Sequence, residues 1–209
     1  MIAVCAFATW GAFLFVMSLY LQSERGFSAM HTGLIYLPVA VGALIFSPLS
    51  GRMVGRFGSR PSLVIAGSLI TVATLMLTRL TATTAVWQLL AIFAVFGIGF
   101  SMVNAPITNA AVSGMPTDRA GAASAVASTS RQVGVSVGVA LCGSVVGSAL
   151  ATTGVDFAVA ARPLWLICAG LGLVILALAV FSTSERALRS AERLAPLVAG
   201  PQLERADVQ

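Results

Sequence analysis

Charge in this chain is confined to short clusters separated by long uncharged stretches. Residues 1–23, 26–51, 61–78, 80–117, 132–155 and 163–184 contain no Asp, Glu, Lys or Arg. A helix that crosses the hydrocarbon core of a bilayer needs roughly 20 apolar residues. A water-soluble fold of this size would need far more surface charge than a chain with 9% charged and 58% hydrophobic residues supplies. The pattern dictates an all-α integral membrane protein that crosses the bilayer repeatedly.

Six helices follow from the runs, at about 1–22, 31–50, 61–79, 85–110, 120–150 and 163–182, here called a to f. Short polar connections separate them: Ser23–Gly26, Gly51–Arg60, Arg79–Thr84, Gly114–Arg119 and Thr152–Arg162. Residues 1–183 then form one six-helix bundle and residues 184–209 a charged tail, which can start as a short surface helix before losing order beyond Pro201.

All basic side chains are Arg; there is no Lys. Alternate connections share one side of the membrane. The b–c and d–e connections and the tail carry Arg52, Arg56, Arg60, Arg119, Arg186, Arg189, Arg193 and Arg205, against Arg25, Arg79 and Arg162 on the other side. Arginine gathers on the cytoplasmic side, so both termini are expected there. The net charge of +5 is therefore an orientation signal and not a nucleic-acid signal. Tyr20, Tyr36, Trp87 and Trp165 fall near helix ends assigned to the outer face, where amphipathic rings favour the headgroup level.

Several classes of function drop out. Cys5, Cys142 and Cys168 lie in apolar runs without metal-ligand spacing and read as small buried hydrophobes. No helix carries an acid, and His31 sits at a helix start as a solvated or capping residue, so neither a metal centre nor intramembrane catalysis has its groups. A phosphate-binding glycine loop is missing too, which argues against nucleotide-driven pumping. No cofactor is implied.

Polar and small residues mark the helices that matter. Helix e carries small residues at every fourth position, including Gly134, Gly138, Gly143 and Gly147, and should pack closely on its neighbours. Helix d holds Pro106, which removes a backbone donor and should kink it, together with Asn104 and Asn109. Two readings of the asparagines stand, bonding between helices or lining a water-filled cavity. Arg131 lies roughly 16 Å into helix e at 1.5 Å per residue. It either snorkels and bonds structurally or faces a translocation path, and no acid within a helix can pair with it.

The b–c segment reads Gly51-Arg-Met-Val-Gly55-Arg56-Phe-Gly58-Ser-Arg60. It resembles the cytoplasmic signature loop of the major facilitator superfamily at Gly51, Arg56, Gly58 and Arg60, and departs from it at Gly55, where the family has Asp. Tyr20-Leu-Gln22, Gly26-Phe-Ser28, Thr32-Gly33-Leu, Leu37-Pro38, Gly97-Ile-Gly99, Asn104-Ala-Pro106 and Ser130-Arg131-Gln132-Val-Gly134-Val-Ser-Val-Gly138 follow in order. Together they are similar to the last six helices of the fourteen-helix drug:proton antiporter (EmrB/QacA-like) family.

The resemblance implies one major-facilitator-type bundle made of two inverted three-helix repeats, a–c and d–f, with helices a and d lining a central cavity. Trp10, Phe13, Asn104 and Asn109 become candidate cavity residues and Arg131 a flanking one; for Phe93, Phe96 and Phe100 packing within the core is the expectation. The implied activity is efflux of amphipathic drugs or antibiotics across the bacterial cytoplasmic membrane by alternating access. The partners are lipid, the cargo, and either a missing N-terminal bundle that supplies proton coupling or a second copy of the chain. The expectation is a C-terminal fragment of a longer exporter. The alternative is a self-associating six-helix membrane protein, either a homodimeric half-transporter or a non-transporting partner.

Overall fold

The structure, a computed structural model, describes residues 1–112, 120–153 and 156–182. Its helices are α1 (Ile2–Leu19), α2 (Ala29–Phe57), α3 (Ser59–Leu77), α4 (Val86–Val112), α5 (Ala120–Thr153), the short α6 (Phe157–Ala160) and α7 (Arg162–Ser182). Six helical segments are long and apolar enough to cross a membrane, and no strand occurs among the described residues. The segment Gly114–Arg119, residues 154–155 and the tail at 184–209 lie outside the described residues.

The helices stand in two layers. α2 packs most heavily on α4, α1 on α5 and α3 on α7; smaller seams join α3 to α4 and α1 to α7. This pattern maps onto itself when α1 exchanges with α4, α2 with α5 and α3 with α7, as two inverted three-helix repeats require. α3 and α7 form the back. At the front, α1 and α4 lie centrally, with α2 and α5 outside them.

Glycine closes the main seams. A Cβ on Gly11 would stand 2.6 Å from the Val135 carbonyl oxygen and one on Gly134 2.8 Å from that of Val4. Gly138 leaves no room at all beside the Ala8 backbone. A Cβ on Gly97 would stand 2.6 Å from the Val39 Cα in the α2–α4 seam, and one on Gly67 2.8 Å from the Leu176 nitrogen in the α3–α7 seam. Lipid gives helices no hydrophobic reason to associate, so backbone approach through small residues supplies the attraction. The expected fourfold pattern of α5 divides here. Gly134 and Gly138 are packed, whereas a Cβ on Gly143 or Gly147 would meet nothing within 4 Å among the described residues. Half of that pattern lies on an outer face of the lobe.

The end of α2 also differs from expectation. The helix runs to Phe57, so Gly51 and Arg56 are helical and the connection shrinks to Gly58, with φ +76°. No proline interrupts residues 49–57, and glycines four apart sit within a helix at only modest cost. Of the glycines at this junction, only Gly58 has the positive φ that a side chain disfavours. Arg60 falls in the first turn of α3. At the other end, Ser28 caps α2, its Oγ accepting from the His31 amide at 3.3 Å and lying 3.0 Å from the His31 ring.

α1 continues through a π-helical stretch, Tyr20–Glu24, and leaves it at Gly26. Tyr20 is fully buried and donates its hydroxyl to the Thr81 carbonyl at 2.5 Å. Arg25 donates to the Thr84 carbonyl at 2.6 Å. Trp165 is buried completely, with no hydrogen-bond partner for its Nε1 among the described residues. Tyr20 and Trp165 therefore belong to the core and not to a lipid-facing belt; of the four rings, Trp87 is the exposed one. Their position near a helix end did not say which way they point.

Pro106 sits within α4, and its missing N–H releases the carbonyl of Met102, one turn earlier. The Ser50 and Ser62 hydroxyls take up that oxygen at 3.0 and 2.8 Å and lie 2.7 Å from each other. All three groups are buried, so one proline break is mended by α2 and α3 together.

Candidate functional site: an aromatic strip between α1 and α4

The front layer carries a continuous ladder of rings. Phe7 meets Phe100 edge-on at 5.2 Å between centroids, and Trp10 stacks on Phe100 at 4.3 Å. Phe13 stacks on Phe96 at 4.0 Å and meets Phe93 at 4.8 Å, and Tyr36 of α2 closes the series against Phe93 at 4.9 Å. The ladder has two depths. Phe13, Phe93 and Phe96 have no exposed surface; Phe7, Trp10, Phe100 and Tyr36 are half-buried. The inner rings hold α1 and α4 together, and the outer rings form a surface.

Helical spacing creates that surface. Phe7, Trp10 and Leu14 follow at i, i+3 and i+7 and so share one side of α1. Phe100 and Asn104 stand one turn apart on α4, both half-buried. Tyr36 donates to the Leu14 carbonyl at 3.1 Å and lies 3.4 Å from the Ser18 hydroxyl, which fixes the far end of the strip to α2.

Arg131 closes the near end. Its NH2 group donates to Thr108 Oγ1 at 2.9 Å, and its guanidinium carbon lies 5.6 Å from the Phe7 ring centroid. Its Nε is buried without a hydrogen-bond partner among the described residues. Thr108 in turn donates to the carbonyl of Asn104 at 3.0 Å. One cation thus joins α5 to α4 and α1 at the edge of an aromatic surface, where ring faces attract it.

Of the residues singled out from sequence, Trp10, Asn104 and Arg131 come together on this surface. Phe13 lies beneath it, and Asn109 is exposed near the end of α4. Gly134 and Gly138 form the α1–α5 seam one and two turns beyond Arg131. Gly51, Arg56, Gly58 and Arg60 lie elsewhere, at the α2–α3 junction. Sequence reasoning missed Phe7, Tyr36 and Thr108. The spacing of Phe7 from Trp10 was the signal for the first; Thr108, four residues after Asn104, was the signal for the last.

Comparison with known proteins fixes the family. The profile described as Major Facilitator Superfamily matches residues 1–139. The chain belongs to that superfamily. Similar proteins include bacterial MFS-type transporters and drug-resistance proteins. It is 36% identical over 129 residues to the uncharacterized MFS-type transporter YhcA of Bacillus subtilis, covering 61% of this chain and 24% of the relative. It is 33% identical over 147 residues to the multidrug resistance protein Stp of Mycobacterium tuberculosis, covering 70% of this chain and 27% of the relative. It is 32% identical over 136 residues to the tetracenomycin C resistance and export protein of Streptomyces glaucescens, covering 65% and 25%. The chain spans about a quarter of the length of the curated relatives it matches.

This major facilitator chain is therefore a multi-pass bacterial membrane protein of a transporter family. Its strip offers stacking surfaces, a few amide and hydroxyl groups and one fixed positive charge. Such a surface holds flat amphipathic molecules by ring contact and orients them through few polar groups. Within the membrane spans only Glu24, at the very end of the first, is acidic.

Proposed function

We propose that the chain forms the C-terminal six-helix lobe of a multidrug or antibiotic exporter of the fourteen-helix drug:proton antiporter branch. It moves amphipathic compounds out of the bacterial cell by alternating access, rocking against a second lobe around the strip. The observation that carries this reading is the half-buried Phe7–Trp10–Phe100–Asn104 surface with Arg131 at its edge. An isolated bundle would be expected to bury these rings or turn them to lipid without polar company.

The flanks of the strip support the two-lobe arrangement. Leu34, Leu37, Val41 and Leu44 leave one side of α2 bare, and Ser136, Ala140, Gly143 and Gly147 leave one side of α5 bare. In the proposed exporter both flanks meet the second lobe, and both termini of this chain lie in the cytoplasm. Proton coupling falls to the second lobe, because a proton-coupled carrier needs a titrating group within the membrane and these spans lack a central acid.

Photoaffinity labelling tests the reading. An amphipathic azido dye added to the chain in lipid nanodiscs should label α1 and α4 at the strip, with unlabelled dye competing. Labelling spread over the outer faces of α3 and α7 instead would refute a defined cargo surface. In proteoliposomes the chain alone should bind dye without exporting it under a pH gradient; proton-driven export by this chain alone would overturn the assignment of coupling to a second lobe.

A further inference from the structure

A second concave site lies far from the strip. Where the end of α3 meets the start of α4, a groove of about 620 Å³ opens to the side of the bundle. Its lower wall is apolar and includes Val72, Leu75, Met76 and Ile92. Its upper wall carries Arg79, Thr83, Trp87 and Gln88. No acidic residue lines it, and Arg79 is exposed, with no carboxylate partner among the described residues. Arg25, outside the lining, donates to the carbonyl of Thr84, which does line the groove.

The change from apolar to polar coincides with the end of a membrane span. The third span is Ser59–Leu77; Val72, Leu75 and Met76 lie inside it and are 48%, 44% and 41% exposed, so they face lipid. Val72 lies about 7 Å below the end of α3 at 1.5 Å per residue. Arg79 follows two residues after the span, and Trp87, 68% exposed, is the second residue of α4. The groove therefore bridges hydrocarbon and headgroup depth. A soluble anion would use only its upper half.

We propose that this groove binds one anionic glycerophospholipid, such as a phosphatidylglycerol. The phosphate pairs with Arg79. Thr83 and Gln88 hydrogen-bond the glycerol and ester oxygens, Trp87 packs at the interface, and an acyl chain lies along Val72, Leu75 and Met76. An unpaired cation at this level attracts a negative headgroup, and apolar walls below it reward a chain that a free phosphate lacks. A groove of about 560 Å³ at the other end of the bundle, lined by Met1, Ile2, Leu63, Pro106 and Ile107 among others, has no arginine in its wall. The proposal does not depend on the efflux reading.

Native mass spectrometry of the full chain tests it. The chain is equilibrated with equal amounts of phosphatidylglycerol and phosphatidylcholine of matched acyl chains, then released from detergent. Retention of phosphatidylglycerol over phosphatidylcholine is expected, and Arg79→Gln should lower that preference about fivefold. Arg162→Gln, at another exposed arginine outside the groove, should leave it unchanged. The melting temperature should not move in Arg79→Gln, so a lost preference reports binding. The proposal is overturned if Arg79→Gln keeps the wild-type preference, if the wild type shows none, or if glycerol phosphate displaces the lipid at equal concentration.

Discussion

The α1–α5 and α2–α4 seams are equivalent by the repeat, yet they are built differently. Both bring backbones together at glycine: Gly11, Gly134 and Gly138 in the first, Gly97 in the second. The α1–α5 seam contains no proline, and its charge, Arg131, sits at its margin. Both helices of the α2–α4 seam carry proline, Pro38 and Pro48 in α2 and Pro106 in α4, and the freed Met102 carbonyl is held by Ser50 of α2 and Ser62 of α3. The repeat decides which helices touch, and the local sequence decides what holds them: steric fit in one seam, polar repair of a broken helix in the other.

The largest expected effect breaks the steric seam. Gly138→Leu must push α1 away, because its Cβ would run into the Ala8 backbone, which cannot rotate aside. A loss at or above the upper end of the roughly 1–3 kcal/mol typical of overpacking should follow, read by thermal unfolding in detergent. Gly143→Leu on the same helix has open space and should stay within about 0.5 kcal/mol of wild type. Equal losses would mean that α5 is not held where the seam places it.

A smaller effect is expected in the polar seam. Ser50→Ala with Ser62→Ala strands the Met102 carbonyl and should cost about 1–3 kcal/mol, while either single change leaves one donor and costs less. Pro106→Ala returns the missing N–H, so the double serine change should cost little in that background. If it costs the same with and without Pro106, the serines are not mending the proline break. The smallest stability effect belongs to Arg131→Met. Arg131→Met loses one bond to Thr108 but also the cost of keeping a charge at membrane depth, so the two offset and the unfolding midpoint should hold or rise slightly. A drop as large as that of Gly138→Leu would make Arg131 a strut of the α1–α5 seam.

These differences track what a sequence can express. Six uncharged runs define six crossings because bilayer thickness fixes their length. The end of α2 was less legible, since Gly51 and Gly55 resemble turn residues and only backbone geometry shows that Gly58 makes the turn. Pro106 announces a free carbonyl four residues earlier, but sequence does not say which neighbour supplies the donors. Trp10, Asn104 and Arg131 stood out as polar or amphipathic residues in apolar runs. Phe7 did not, because a phenylalanine in a membrane helix is ordinary until its neighbours are known. Likewise Tyr20 and Trp165 sit near helix ends yet face inward, a rotation that position along the helix does not reveal.

The claim that matters most is that Trp10 belongs to a cargo-binding surface, and its own fluorescence tests it. Replacing Trp87 and Trp165 by Phe leaves Trp10 as the only tryptophan; Trp165 Nε1 has no hydrogen-bond partner among the described residues, so Phe there removes packing but breaks no hydrogen bond. In nanodiscs, an amphipathic dye should quench Trp10 saturably, and Phe100→Ala, which removes the ring stacked at 4.3 Å, should weaken that quenching. Quenching that rises linearly with dye, unaffected by Phe100→Ala and equal to that of a variant retaining only Trp87, would contradict the account.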